Sequence, residues 1–153
     1  MTTSEPSLSD FRRVVAGDHG LSIVSLARPD ATVTTSLVNA GVLAHPVTAV
    51  EVVGFVVRGD AIKLRRLRRE PRATVTVRAK WGWVAAEGLA ELVGPDDPSD
   101  GFDLVGLPQL LRDVFSAAGG THDDWAAYDK AMAAERRTAV LLRPTRVYGN
   151  PNV

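Results

Sequence analysis

Residues 58–78 constrain this chain more than any other stretch. An apolar run, Val52-Val53-Gly54-Phe55-Val56-Val57, meets a turn at Arg58-Gly59-Asp60, and the basic segment Ala61-Ile62-Lys63-Leu64-Arg65-Arg66-Leu67-Arg68-Arg69 follows it. Leu, Arg and Lys favour helix and proline cannot continue one, so the segment reads as a short helix stopped at Pro71. Beyond the proline, Ala73, Val75 and Val77 alternate with Thr74, Thr76 and Arg78, the period of a half-buried strand. A strand, a glycine turn, a basic helix and a second strand can together hold an anion where the helix begins, because its first N–H groups are unpaired. Lys63 sits in that first turn.

Charge is segregated along the 153 residues, although the formal net charge is zero. Residues 58–80 carry nine Lys or Arg against Asp60 and Glu70, and residues 81–135 carry eleven Asp or Glu against Arg112 and Lys130. That pattern points to a localised anion site rather than a uniformly basic surface. The acidic segment from Asp96 to Glu135 is expected to lie away from it, since a carboxylate beside a bound anion repels it. The chain has no cysteine, which excludes disulfides and thiol catalysis and suits a cytoplasmic protein. Met1 to Ser9 lacks the apolar core of a signal peptide, and no run approaches a membrane span. His19, His45 and His122 do not form a metal-ligand spacing, and no Gly-x-Ser-x-Gly elbow supports a nucleophilic serine.

Residues 1–9 read as a flexible tail and residues 10–153 as a single domain. Ser7 or Ser9 can cap a short helix in which Leu8, Phe11, Val14 and Val15 share a face. Strands are expected over Leu21–Ala27, Thr32–Val38 and Ala49–Val57, with turns at Arg28-Pro29-Asp30 and Asn39-Ala40-Gly41 and irregular chain around His45-Pro46. Ala73–Ala79 and Trp83–Val93 form two more, joined by Lys80-Trp81-Gly82. After the break at Gly94-Pro95-Asp96-Asp97-Pro98, helices are expected over Leu107–Ala118 and His122–Arg137, the second capped by Thr121 with Arg136 and Arg137 in its last turn. Ala139–Leu142 and Arg146–Tyr148 make a final strand interrupted by Pro144. The pattern is mainly β with helices, a small barrel with α additions.

The basic run has three readings: a solvated helix face, a nucleic-acid contact, or a cofactor phosphate site. Single-strand nucleic-acid binding calls for aromatic residues among the charges, and residues 58–80 hold none. Trp81, Trp83 and Tyr148 either pack on the sheet or line a pocket for a ring.

Lys63-x-x-x-Leu67-x-x-x-Pro71, directly after Phe55-Val56-Val57-Arg58-Gly59, resembles the split-barrel flavin reductase superfamily, which includes pyridoxamine 5'-phosphate oxidase. Trp83-Val84-Ala85-Ala86-Glu87-Gly88-Leu89-Ala90-Glu91-Leu92 looks like that superfamily's Glu-Gly strand. Thr35–Gly41 and Arg143–Gly149 are similar to its actinobacterial branch, which uses the deazaflavin coenzyme F420. The resemblance covers nearly the whole chain after residue 10. It implies a split β-barrel homodimer with the cofactor in a groove at the dimer interface. By matching positions, it implies Lys63 as the phosphate-binding lysine, with Arg58, Arg65, Arg66 and Arg69 as candidates for the remaining anionic groups. Ser36, Val38 and Asn39 would lie on the strand against the ring.

The oxidases carry a hydroxyl residue shortly before that lysine, where this chain has Ala61-Ile62, which counts against a standard FMN phosphate site. The oxidase's own substrate-binding C-terminus is not evident, so pyridoxamine phosphate is not the expected substrate. The deazaflavin carries a phosphodiester and a polyglutamate tail, so a strongly basic helix has more anion to meet than the single phosphate of FMN provides. The expected function is an F420-dependent oxidoreductase that passes hydride to a small conjugated electrophile, with no nucleic acid, membrane or metal as partner. An FMN-dependent enzyme of the same fold and a non-catalytic deazaflavin carrier are the alternatives.

Overall fold

The computed structural model describes residues 5–152; residues 1–4 of the expected tail, and Val153, lie outside that range. Helix α1 (Leu8–Ala16) begins within the last two positions assigned to the tail. Ser7 is its N-cap and donates its backbone N–H to Asp10 Oδ2 at 2.9 Å, while Phe11, Val14 and Val15 turn inward.

Six strands follow the expected order: β1 (Leu21–Ala27), β2 (Val33–Ala44), β3 (Glu51–Val57), β4 (Arg72–Ala79), β5 (Gly82–Val93) and β6 (Thr138–Asn150). They close into an antiparallel barrel in the spatial order β1-β2-β3-β6-β5-β4. Helix α2 (Ile62–Arg69) links β3 to β4, and α3 (Leu107–Ala117) and α4 (Trp125–Ala134) link β5 to β6. Alternate residues fill the barrel: Val24, Leu26, Val53, Phe55, Val75, Val77, Val84, Ala86, Val140 and Leu142, joined by Phe11 of α1 and by Leu64 and Leu67 of α2. A second cluster lies outside the wall, where Leu110, Leu111 and Val114 of α3 pack with Val52, Val93, Ala139 and Leu141. β6 is therefore buried on both faces over Ala139-Val140-Leu141-Leu142, which explains an unbroken apolar run in an antiparallel strand.

Three expectations change. Asn39-Ala40-Gly41 is not a turn: β2 runs straight through it and changes partner, pairing with β1 from Val33 to Asn39 and with β3 from Ala40 to Ala44. Gly41 marks a close approach instead, since a Cβ there would stand 2.2 Å from the Ala117 carbonyl at the end of α3. Pro144 does not interrupt β6, because it falls at a bulge. Gly88 pairs with Pro144 and Glu87 with Arg146, so Thr145 is the extra residue and the missing proline N–H lies where the ladder is already irregular. The cap of α4 is Asp124 rather than Thr121, its carboxylate accepting the Ala127 N–H at 3.1 Å. Arg136 and Arg137 lie past the end of that helix, Arg136 at a φ of 50°.

No helix among the described residues is long and apolar enough to cross a membrane.

Candidate anion site

α2 stands where the strand before it ends in a tight turn. The Ala61 N–H donates to the Arg58 carbonyl at 3.1 Å and the Gly59 N–H to the Glu135 carbonyl at 3.1 Å. Gly59 is packed so closely there that a Cβ would stand 2.7 Å from that of Arg136. The N-cap residue is Ala61, which offers no side-chain acceptor to the first turn. Burial of Leu64 and Leu67 then distributes the cations around the rest of the helix.

Lys63 is half-buried, and its Nζ donates to Ser36 Oγ at 2.5 Å. Burial pushes its pKa below the ordinary lysine value, and no carboxylate contributes to that shift. An ammonium withdrawn from water with one neutral partner favours a nearby anion. The chain does place a hydroxyl beside the lysine, contributed by β2 rather than by the residues preceding it. Ser36 shares its side of β2 with Val38, which packs against the barrel core. Asn39 is exposed and, at the strand period of two, faces the other way, so the three residues expected together do not share a face.

Between α2 and the β1–β2 turn lies a groove of about 710 Å³ that includes Arg28, Arg65, Arg66, Arg69 and Arg72. Arg72 is paired with Glu70 at 2.9 Å, and Arg28 donates to the Val33 carbonyl at 3.0 Å. Arg65, Arg66 and Arg69 make no ion pair among the described residues. Arg58, Lys63 and Ser36 are not among the residues lining this groove. Arg58 is exposed and lies 3.4 Å from Asp60. At 3.6 residues per turn Arg66 lies about 60° around α2 from Lys63, with Arg69 and Arg65 about 120° and 160° away. Arg28 is the residue that the sequence did not single out; it stands 37 positions before Arg65 in what read as an ordinary turn.

The acidic segment reaches the basic helix, although not at Lys63 or at the arginines of the groove. Asp97 grips Arg68 on α2 with both oxygens, at 2.8 and 2.7 Å, and Asp96 pairs with Arg136. Arg68 lies five residues beyond Lys63, about 140° around a helix of 3.6 residues per turn. The acidic turn thus meets a different side of α2 from the one that carries Lys63.

Outside the barrel, Leu21 and Ile23 of β1, Leu37 of β2 and Trp83 of β5 are exposed. Ile23 stands opposite both Leu37 and Thr76, and together these residues line a shallow depression of about 460 Å³ that also takes in Trp81. Tyr148 meets Trp83 edge to face at 6.1 Å, and the Arg146 guanidinium lies 4.7 Å over the Tyr148 ring. This bare apolar wall and the cationic groove are separate depressions that share no lining residue. His45, by contrast, is committed to structure: Nε2 meets Glu91 at 2.8 Å and Nδ1 accepts the Val47 and Thr48 N–H groups.

No family profile matches the chain. Among solved structures it is similar to a conserved hypothetical protein from Mycobacterium tuberculosis, at 16% identity over 98% of this chain and 91% of that one, with a TM-score of 0.67. It is similar to an F420 reductase at 17% identity, over 95% of this chain and 98% of the other, with a TM-score of 0.61. A pyridoxamine 5'-phosphate oxidase-related, FMN-binding protein from Nostoc punctiforme matches at 10% identity, over 96% and 84%, with a TM-score of 0.61. Likeness at these identities is a likeness of fold, and the chain has the split β-barrel fold of pyridoxamine 5'-phosphate oxidase-like proteins.

Proposed function

We propose that the chain is a coenzyme F420-dependent oxidoreductase that passes hydride between the reduced cofactor and a small conjugated electrophile. The observation that carries this reading is Lys63: a half-buried ammonium held by one hydroxyl, with no carboxylate partner among the described residues, on a helix whose neighbouring arginines line a groove. A ligand long enough to bring a phosphate to Lys63 and further negative charges to the arginine groove fits these two places. Lys63 and Ser36 would hold the phosphate, and Arg65, Arg66 and Arg69 the remaining anionic groups. When bound, the cofactor supplies the hydride chemistry. The chain's part is to bind it, orient it and keep water away, and the apolar wall of Ile23, Leu37 and Trp83 suits the last task. In this reading that wall is also where two copies meet as a homodimer, covering apolar surface that a monomer leaves in water. The cysteine-free chain is suited to work in the cytoplasm.

Ser36 also favours a second reading, FMN as cofactor, because the Lys63–Ser36 pair alone can satisfy one phosphate. The two readings differ over the groove. Replacing Arg65, Arg66 and Arg69 together by Ala should weaken F420 binding strongly and FMN binding little.

The test is a fluorescence titration of wild type and Lys63→Ala with each cofactor, alongside thermal melts. A hydrogen bond to a charged group contributes about 1.5–3 kcal/mol, so Lys63→Ala should bind roughly 10- to 150-fold more weakly while melting as before. Unchanged affinity for both cofactors in the folded variant would overturn the reading. Oxidation of the reduced cofactor by quinones, enones or tetrapyrroles separates an enzyme from a carrier.

A further inference from the structure

α2 is tied down near both ends by one short acidic turn. Gly94 and Asp97 exchange backbone hydrogen bonds, each 3.1 Å long. Gly94 is seated on β6 so tightly that a Cβ would stand 2.3 Å from Thr138 Oγ1. From this anchored turn two adjacent carboxylates reach different parts of the helix and its approach. Asp97, with a side chain only 12% exposed, takes both oxygens to Arg68 in the last turn of α2. Asp96 takes Arg136, with Arg136 Nε at 3.2 Å from Oδ2. Arg136 in turn packs against Gly59, in the turn that leads into α2, while the neighbouring Glu135 carbonyl receives the Gly59 N–H.

We propose that the Asp96–Asp97 turn is the positioning element of the anion site. It fixes the placement of α2, so that Lys63 meets Ser36 and Arg65, Arg66 and Arg69 face the groove. This rests on the reading of Lys63 and the groove as an anion site. Neither carboxylate touches that site; both act through arginines that the groove does not use.

Charge and positioning then predict opposite signs. By charge alone, removing a carboxylate beside a basic helix makes the local potential more positive and tightens an anion. If the carboxylate positions the helix, removing it loosens the donor set and weakens the anion. A bidentate Arg–carboxylate pair fixes direction as well as distance, which suits the second role.

The experiment compares Asp97→Asn, Arg68→Ala and the double variant with Asp123→Asn, which removes a fully exposed carboxylate. F420 and FMN are titrated by fluorescence, and amide exchange is followed over residues 62–69. Asp97→Asn should bind about three- to tenfold more weakly. Asp123→Asn should stay within about twofold of wild type, and the double variant should be no worse than the worse single, because both lose one pair. Amides of α2 should exchange faster in Asp97→Asn while those of Val140 and Leu142 keep their protection. Arg68→Lys keeps the charge but loses the fork, and replaces Asp97→Asn in these measurements if that variant fails to fold. Tighter or unchanged binding, or unchanged exchange over α2, would overturn the proposal. Should Lys63→Ala leave both affinities intact, the anion-site reading fails on its own, and the exchange of α2 decides whether the turn holds the helix.

Discussion

Across β3, the far half of β5 and the first half of β6, the outward residues Val52, Val93, Ala139 and Leu141 lie beneath α3. Across β1 and the first half of β2, outward residues of the same kind stay in water: Ile23 is 42% and Leu37 is 62% exposed. Both sides obey one alternation, and only the covering differs. An apolar residue at an outward strand position signals that something covers it; whether that is the chain's own helix or another molecule depends on where the helices dock.

The sharpest contrast should be in stability. Leu111→Ala, on the face of α3 that covers those strands, should cost about 2–5 kcal/mol. Leu37→Ala, on the bare side, should change the stability of the monomer by no more than about 0.5 kcal/mol. Denaturant melts at low protein concentration measure both, and an equal loss would show that the bare wall is packed within a single chain.

Assembly comes next. If the bare wall joins two copies, Leu37→Asp should place a charge in the interface and raise the dimer dissociation constant about a hundredfold, equivalent to about 2.7 kcal/mol. Sedimentation should show the shift, and Gln109→Asp on the exposed face of α3 should not produce it. An unaltered distribution for Leu37→Asp moves the interface elsewhere.

The smallest effect concerns pH and the other side of the same strand, where Ser36 meets Lys63. Burial lowers the Lys63 pKa, so its positive charge is lost at a lower pH than that of an exposed lysine. Anion affinity of the free protein should therefore begin to fall before the ordinary lysine range is reached, whereas Lys63→Arg should hold its affinity there, because a guanidinium stays charged. The sign for folding is opposite. The unfolded chain holds this proton more tightly, so the group disfavours the fold below its lowered pKa, and that cost disappears as pH rises towards the ordinary value. A wild-type titration with no alkaline limb would remove Lys63 from the charge balance of the site.

Strand positions are legible from a local signal: an apolar-rich segment over Leu21–Ala27, and apolar Ala73, Val75 and Val77 alternating with Thr74, Thr76 and Arg78. The misreadings arose where a local signal had a distant cause. Gly41 looked like a turn residue, yet its reason is the end of α3, and Pro144 looked like a break because the bulge that accommodates it depends on Gly88. In the site, Lys63 and the arginines of α2 were legible from one contiguous run. Arg28 was not, since only the pairing of β1 with β4 brings the β1–β2 turn beside that helix. Asn39 belongs to the stretch Thr35–Gly41 that carries the resemblance, yet the period of two separates it from Ser36 and Val38. The Asp97–Arg68 pair joins residues 29 apart in opposite charge blocks, a contact that no local pattern announces.

The place of β6 in the barrel has a consequence for how the chain reaches this shape. Before β6 arrives, the other five strands can pair only as an open sheet in the order β3-β2-β1-β4-β5, with β3 and β5 as bare edges. The first half of β6 pairs with both at once, Leu142 standing opposite Val53 on one side and Ala90 on the other. On a ribosome, β6 is also the last of the six to emerge. Until then the nascent sheet carries two unsatisfied edges, the kind of surface that invites pairing with a neighbouring chain. Closure is a single late event that joins segments some 85 residues apart, so ring formation, rather than any individual hairpin, is expected to set the folding rate.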